Sequence, residues 1–317
     1  MRIFVTGASG FVGKRFCQLA NEASHCVIGQ SRSRLIEGLT RTVKASITSH
    51  TDWSDSIVDI DCVVHCAARV HQMNESEDDA VSLYQEVNVA GTLNLARQAV
   101  DAGVKRFVFL SSIKVNGEST LPNDSFKPEI VARPNDPYGA SKWDAEQGLL
   151  EISRETGLEV VIIRPPLVYG PGVKANFHSL LKWVDKEAPL PLGAIHNQRS
   201  LVFLDNLGSL MLECCTNPHA VGQIFLVSDD HNVSTSDLLK EAATKMNRSY
   251  RMLPISESWL RLAASLLGKK QVGQRLCSSL QLDISHTKQQ LGWAPPVSFS
   301  DGIEKTVDDY LKQKEKE

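Results

Sequence analysis

The first thirteen residues constrain the fold of this chain more than any other stretch. An apolar run, Arg2 to Thr6, leads into Gly7-Ala8-Ser9-Gly10-Phe11-Val12-Gly13, where glycine recurs at every third position. A helical pattern of apolar residues follows, and strand, glycine turn and helix in this order are the fingerprint of a dinucleotide-binding unit. Gly7 permits a tight turn, Gly10 lets the backbone approach a pyrophosphate, and Gly13 lets the helix pack on the strand. The sequence therefore predicts a dinucleotide whose pyrophosphate lies at the N-terminus of the first helix.

Apolar runs alternate with helical patterns through the first half of the chain. Strands are predicted at residues 26–29, 61–68, 105–112 and 159–164. Near-continuous apolar strands separated by helices are typical of a parallel sheet covered on both faces. We therefore predict an α/β fold with a Rossmann-type doubly wound parallel sheet over residues 1–165, where ligands collect at the carboxyl ends of the strands. Residues 166–317, in which prolines and glycines break the rhythm, are predicted to form a smaller, mixed substrate-binding portion; segments such as 200–228 could return to the first domain.

The residues after the second strand bear on which dinucleotide binds. An NAD site commonly carries an acid about twenty residues past the glycines, where it binds the adenosine ribose hydroxyls. Between Ala23 and Ile36 this chain has no acid, and Gln30 lies in this stretch. Arg32 and Arg34 follow, and an arginine can pair with a 2′-phosphate. The pattern favours NADP over NAD and leaves both open.

A candidate catalytic pair opens a helix in the middle of the chain. The segment Pro137-Tyr138-Gly139-Ala140-Ser141-Lys142 opens a predicted helix that runs from Gly139 to Thr156, with Gly157 placed to end it. Tyr138 and Lys142 are four residues apart and therefore share a helix face. A nearby ammonium favours the phenolate and lowers the pKa of a tyrosine, which makes the pair a candidate proton donor and acceptor. The alternative is a surface Tyr and Lys on an ordinary helix, and the dinucleotide fingerprint upstream favours the catalytic interpretation.

Composition argues against several other classes of protein. The 317 residues include 37 acidic and 34 basic side chains, for a net charge of −3, so no basic footprint indicates nucleic acid or an anionic membrane. The apolar runs are shorter than a membrane span, and an apolar first strand leaves no room for a signal peptide, so we expect a cytoplasmic protein. Among the seven cysteines, Cys62 and Cys66 with His65 and His71 suggest a metal site. Both cysteines lie in an apolar run, where cysteine acts as a small buried hydrophobe, and no metal is predicted.

Seven motifs recur in order over nearly the whole chain: Thr6-Gly7-Ala8-Ser9-Gly10-Phe11-Val12-Gly13, His65-Cys66-Ala67-Ala68, Asn88-Val89-Ala90-Gly91-Thr92, Ser111-Ser112, Tyr138-Gly139-Ala140-Ser141-Lys142, Arg164-Pro165 with Val168-Tyr169-Gly170-Pro171, and Leu291-Gly292-Trp293-Ala294-Pro295. Together they resemble the extended short-chain dehydrogenase/reductase family, in its branch of nucleotide-sugar epimerases, dehydratases and reductases. The resemblance implies a UDP-sugar substrate, an NAD or NADP cofactor and a Ser–Tyr–Lys mechanism at C4 of a nucleotide-linked hexose.

The resemblance also implies roles for individual residues. Tyr138 would move the proton of the C4 hydroxyl, Ser112 would hydrogen-bond the same oxygen, and Lys142 would hold the nicotinamide ribose. Ser112 is favoured over Ser111 because it keeps the family's spacing to Val115-x-Gly117. Implied cofactor contacts are Gly7, Ser9, Gly10, Phe11, Val12, Gly13, Arg32, Ser46, Ile47, Cys66, Ala67, Ala68, Asn88, Ser111, Tyr138, Lys142, Pro165 and Val168. Implied substrate contacts are Ser112, Lys114, Asn176, Phe177, Arg199 and Arg275, the two arginines being placed at the diphosphate.

Departures from the family pattern limit what can be carried over. Ile113 and Lys114 stand where the dehydratases have an Asp-Glu pair, which argues against 4,6-dehydration. Asn116 replaces the tyrosine usual in Val-Tyr-Gly, and Leu167 stands where many epimerases have Asn. The identity of the sugar therefore cannot be copied from the family.

The predicted function is a UDP-hexose or UDP-N-acetylhexosamine 4-epimerase. The alternative is an NADPH-dependent reductase of a UDP-4-keto-6-deoxy-N-acetylhexosamine in surface-polysaccharide synthesis, which uses the same residues at the same carbon. A third class, a non-catalytic dinucleotide-sensing protein, typically lacks the Tyr or the Lys, and this chain has both. The family further implies a homodimer through the helices at residues 83–102 and 139–156.

Overall fold

The computed structural model describes residues 1–33, 36, 38–70, 77–130, 132–266, 268 and 270–315, apart from the side chains of residues 77–80, 175–176, 263–264, 270–272 and 275. Arg34 and His71 therefore lie outside the described residues, as do the side chains of Asn176 and Arg275. The described strands are β1 (Arg2–Thr6), β2 (Cys26–Ser31), β3 (Arg41–Lys44), β4 (Cys62–His65), β5 (Arg106–Leu110), β6 (Glu159–Arg164), β7 (Leu167–Tyr169), β8 (Arg199–Phe203), β9 (Ile224–Leu226) and β10 (Asn232–Val233).

Seven of these strands form one parallel sheet in the order β3-β2-β1-β4-β5-β6-β9. Strand residues alternate between its faces, so Ile3 and Val5 pack into one core while Phe4 packs into the other. Both cores are buried, which explains why the sequence runs are almost continuously apolar. The doubly wound parallel sheet predicted from the sequence is confirmed.

Helices cover both faces of the sheet and fill the second half of the chain. They are α1 (Phe11–Glu22), α2 (Glu77–Tyr84), α3 (Gly91–Asp101), α4 (Pro137–Thr156), α5 (Ala175–Asp185), α6 (Leu204–Thr216), α7 (Thr235–Lys245), α8 (Glu257–Leu266), α9 (Lys270–Cys277), α10 (Ser285–Leu291) and α11 (Phe299–Lys314). Wide π-helical turns at Gln85–Ala90 join α2 to α3, where the sequence pattern predicted a single helix. None of the described helices is long and apolar enough to cross a bilayer.

Local sequence signals explain the boundaries of α4. The Asp136 carboxylate accepts a hydrogen bond from the Gly139 backbone amide at 2.8 Å and caps the N-terminus, while Pro137 occupies the first turn. Gly157 ends the helix with a left-handed φ of 78°, a conformation that favours glycine. The predicted helix is therefore present and extends two residues further at its start.

A smaller sheet lies in the second half of the chain. β8 pairs parallel with β7 and antiparallel with β10, which agrees with the predicted mixed portion. The buried Asp229 carboxylate accepts hydrogen bonds from Tyr169, from the Phe203 amide and from Asn206, each at 2.7 Å, and ties this sheet to α6. Because β9 then returns to the large sheet, both sheets contribute to one continuous body.

Candidate active site

The glycine turn between β1 and α1 leaves no space for side chains. A Cβ on Gly13 would lie 2.3 Å from the carbonyl oxygen of Gly7, and one on Gly10 would lie 3.0 Å from the same atom. Gly7 itself has a φ of 64°, and a Cβ there would lie 2.9 Å from the Ala67 backbone. Ser9 lies inside this turn, and Phe11 and Val12 open α1. The bare backbone at a helix N-terminus fits the pyrophosphate of a dinucleotide.

Gln30 supports this turn from β2. Its side-chain oxygen accepts a hydrogen bond from the Gly7 amide at 2.8 Å, and its nitrogen donates to the Ala45 carbonyl at 2.5 Å. Gln30 is 2% exposed, and both polar ends of its side chain are bonded to backbone groups. The next residue, Ser31, places its hydroxyl 3.1 Å from that of Ser9.

A chain of buried hydrogen bonds links the glycine turn to α4. His65 is fully buried, and its ring nitrogens lie 2.7 Å from the Thr6 hydroxyl and 2.9 Å from the Thr92 hydroxyl. The Thr92 hydroxyl donates to the Asn88 carbonyl, so it accepts from Nε2 of His65. Asn88 in turn donates to the Ser141 hydroxyl at 3.0 Å. Burial and the nearby Lys142 charge lower the His65 pKa to about 3, so the imidazole is neutral at neutral pH.

Lys142 is buried at the centre of the site. Its ammonium donates to the Leu110 carbonyl at 2.9 Å and lies 4.5 Å from the ring centroid of Phe109. Burial lowers its pKa to about 8, and the Glu146 carboxylate opposes that shift. Lys142 therefore carries its proton at neutral pH.

Tyr138 lies at the start of α4, with its ring 6.0 Å from that of Tyr84 in an edge-on contact. Burial raises the pKa of Tyr138, and the charges of Asp136 and Tyr84 raise it further. The expected lowering of this pKa by Lys142 is therefore not observed. The reason is that desolvation outweighs any attraction from an ammonium directed at Leu110.

The two serines after β5 have different partners. The Ser111 hydroxyl donates to the Glu146 carboxylate in the protein interior. The half-buried Ser112 hydroxyl accepts a 3.3 Å hydrogen bond from the Lys114 amide and keeps its own proton to donate. This agrees with the preference for Ser112 as the residue that reaches substrate.

The Lys114 side chain, predicted to contact substrate, is engaged in ion pairs. Its ammonium lies 3.1 Å from the Glu118 carboxylate and 3.1 Å from the Asp136 carboxylate. Asp136 is the cap of α4, so Lys114 offsets part of the negative charge beside Tyr138.

Other predicted cofactor residues follow the strands of the large sheet. Arg32 follows β2 and is exposed, while Ser46 and the buried Ile47 follow β3. Cys66, Ala67 and Ala68 follow β4, Pro165 follows β6, and Val168 lies within β7. Apart from Val168, which belongs to the smaller sheet, these positions follow the carboxyl ends of strands of the large sheet, where dinucleotide sites form.

The predicted substrate residues are less closely grouped. The Phe177 ring is 2% exposed and stacks on Tyr169 at 5.5 Å, which leaves only its backbone for the predicted sugar contact. Arg199 starts β8 and donates to the Ser278 carbonyl at 3.1 Å. Asn176 lies in α5 and Arg275 in α9.

Sequence reasoning missed the ion pair of Glu146 with Arg164. The four-residue spacing from Lys142 to Glu146 was the available signal.

The seven cysteines are free thiols, and burial raises the Cys17 pKa to about 12. Among the described residues, no cluster of three His, Cys, Asp or Glu side chains could hold a metal ion.

Comparison with known proteins identifies relatives along the whole chain. A family model described as "NAD dependent epimerase/dehydratase family" matches residues 3–228. The chain is 44% identical over 314 residues to a Vibrio cholerae protein named UDP-glucose 4-epimerase, covering 98% of this chain and 95% of the relative. It is 25% identical over 322 residues to the Escherichia coli O157:H7 protein named N-acetyl-alpha-D-glucosaminyl-diphospho-ditrans,octacis-undecaprenol 4-epimerase, covering 96% and 94% of the two chains.

Solved structures share the fold. Crystal structures of UDP-glucuronic acid 4-epimerase and of UDP-N-acetylglucosamine 4-epimerase, both from Bacillus cereus, match with TM-scores of 0.78 and 0.80. Their sequence identities to this chain are 23% and 18%, and each match covers 99% of both chains. The predicted Rossmann-type architecture is thereby confirmed over the full chain.

Proposed function

Because the chain belongs to the NAD-dependent epimerase/dehydratase family and is an enzyme of that family, we propose that it acts by NAD(P)-dependent redox chemistry on a UDP-sugar. We propose specifically a 4-epimerase of a UDP-hexose or UDP-N-acetylhexosamine. The 44% identity to a UDP-glucose 4-epimerase over 98% of the chain carries this proposal. The retention of Ser112, Tyr138 and Lys142 supports it.

The residues of the site suggest how the chain would act. Tyr138 takes the C4 hydroxyl proton and later returns it, and Ser112 hydrogen-bonds the same oxygen. Lys142, protonated at neutral pH, binds the nicotinamide ribose; in the free protein its ammonium is directed at the Leu110 carbonyl and does not lower the pKa of Tyr138. A bound nicotinamide supplies acceptance and return of the C4 hydride. The backbone at Gly7, Gly10 and Gly13 would hold the pyrophosphate, and the turn needs glycine because a Cβ at Gly7 or Gly13 would clash with neighbouring backbone.

The predicted preference for NADP favours a second candidate function. Residues 23–36 contain no acid for the adenosine ribose, Gln30 is bonded to backbone, and Ser9, Ser31 and Arg32 remain near the carboxyl end of β2. These residues suit the 2′-phosphate of NADP better than they suit the free ribose hydroxyls of NAD. We therefore keep an NADPH-dependent reductase of a UDP-4-keto-6-deoxy-N-acetylhexosamine as the alternative.

One experiment separates these functions. The absorbance of the purified protein is recorded, and UDP-galactose, or a UDP-4-keto-sugar with NADPH, is then added while products are followed. Bound NAD with galactose-to-glucose conversion and no net oxidation supports the epimerase. Stoichiometric loss of added NADPH supports the reductase, and absence of both reactions contradicts the proposal.

We also propose a homodimer formed by α2, α3 and α4. Two large apolar side chains on α2, Val81 and Leu83, are 42% and 36% exposed and could pack against a second copy. Light scattering would give twice the 34.9 kDa chain mass, and a single-chain mass at micromolar concentration would contradict the proposal.

A further inference from the structure

A buried ion pair lies one helical turn beyond Lys142. The Arg164 guanidinium at the end of β6 contacts the Glu146 carboxylate on α4 at 2.6 and 2.9 Å. The two side chains are 1% and 0% exposed. The same carboxylate accepts the Ser111 hydroxyl, so each of its oxygens has a donor.

Stability alone does not account for this pair. Removing two charges from water costs about as much free energy as their attraction returns. A protein with apolar residues of similar volume in place of such a pair is often equally stable. Arg164 also donates to the Pro128 carbonyl at 2.7 Å and to the Asn116 side chain at 3.1 Å. The pair therefore connects α4 to the segment beyond β5.

The surroundings of Lys142 suggest a role for the buried pair of Glu146 and Arg164. Its ammonium has a neutral hydrogen-bond partner, the Leu110 carbonyl, and a buried ammonium with neutral partners tends to lose its proton. The titratable groups facing it from β4 and the residue that follows are His65, which is neutral, and the Cys66 thiol, whose pKa is raised by burial. On its own helix stand Tyr138, four residues before it, and Glu146, four residues after it. Glu146 is the carboxylate in this set, and it forms an ion pair with Arg164.

We propose that Glu146 is a positioning residue, whose buried carboxylate keeps Lys142 protonated while it fixes Ser111 and Arg164 around the end of β5. The proposal rests on the proposed function, because Lys142 is taken there as the residue that binds the nicotinamide ribose. It differs from that function in being testable on the free protein, without substrate or cofactor.

The test measures the titration of Lys142 directly. Protein labelled with [13Cε]lysine is titrated by NMR, and the Lys142 resonance is assigned by its loss in Lys142→Met. In Glu146→Gln, which keeps the shape and removes the charge, the Lys142 midpoint is expected to fall by about one pH unit from its wild-type position. Glu146→Asp, which keeps the charge, is expected to restore most of the wild-type midpoint.

A matched control is available at the opposite end of the same strands. Arg106 on β5 pairs with Glu159 on β6 at 2.7 Å, and Glu159→Gln removes one charge from that pair. Its Lys142 midpoint is expected to stay at the wild-type value. If Glu146→Gln fails to fold, Glu146→Gln/Arg164→Met, which leaves no unpaired buried charge, replaces it and is expected to shift in the same direction.

An unchanged Lys142 midpoint in a folded Glu146→Gln protein, or in the double variant, overturns the proposal and leaves the ion pair a structural role. A lowered midpoint in a protein that turns over no UDP-sugar supports the proposal and counts against the proposed function alone. For an active enzyme, the decline of kcat at high pH is expected to move to lower pH together with the midpoint.

Discussion

At the scale of single residues, the site depends on how burial changes proton affinity. Burial lowers the Lys142 pKa to about 8 and raises that of Tyr138. The sequence predicted the pair, but it predicted an attraction between the two charges as the dominant effect. Desolvation dominates instead, because both groups lie inside the protein and the ammonium points at a carbonyl oxygen.

Replacing the Tyr138 hydroxyl tests the proposed proton transfer. We expect Tyr138→Phe to lower kcat about a thousandfold, in the range of general acid–base contributions, with little change in cofactor affinity. Steady-state kinetics and cofactor titration measure the two effects. Tyr84→Phe is the matched control, because the Tyr84 ring contacts that of Tyr138 at 6.0 Å. We expect this variant to keep most of the wild-type kcat. A Tyr138→Phe protein with wild-type kcat would exclude the mechanism.

At the scale of secondary-structure elements, short spacings decide where the ligand site forms. The glycine turn brings β1, α1 and the residues after β4 into contact, and a methyl group would disrupt it at Gly7 or Gly13. The capping of α4 by Asp136 sets the position of Tyr138 on the first turn. The glycine turn involves neighbours in sequence, which is why it could be predicted; the Asp136 cap also involves neighbours in sequence, but the sequence analysis did not predict it.

Gly13→Ala tests the role of the turn in cofactor binding. The added Cβ would lie 2.3 Å from the Gly7 carbonyl oxygen, and relieving such overpacking costs about 1–3 kcal/mol. We expect NAD or NADP affinity, measured by calorimetry, to weaken at least about tenfold. The control is Gly103→Ala, where φ is 75° and no atom lies within 4 Å of the added Cβ. That variant should lose about 1 kcal/mol of stability and keep its affinity, and equal affinity losses in both would contradict the prediction.

At the scale of the whole molecule, buried polar networks join elements that are distant in sequence. His65 on β4 connects β1 to α3, and Glu146 connects α4 to β6 and to Ser111 after β5. Such networks hold the carboxyl edge of the sheet rigid around the site. They also make the folded state sensitive to protonation of its buried groups.

His65 should make stability depend on pH. Its pKa falls from 6.5 to about 3 on folding, so the unfolded chain binds a proton between these values that the folded chain excludes. The contribution of His65 to the free energy of unfolding is therefore complete above pH 6.5. It is lost as the pH falls toward 3, with a slope of about 1.4 kcal/mol per pH unit. Urea unfolding of wild type and His65→Asn between pH 4.5 and 8 measures it. The variant should show the shallower dependence, while a change at the exposed His50 should not alter the slope.

The sequence by itself determined the Rossmann-type sheet, the glycine turn and the helix that carries Tyr138 and Lys142. Each follows from spacings within about twenty residues, where backbone geometry fixes which side chains share a turn or a face. Tertiary structure decided that Gln30 supports Gly7, that Lys114 pairs with Asp136, and that Glu146 pairs with Arg164. The physical reason is that partners and burial are set by how elements pack together, and burial then sets the charge state of each group in the site.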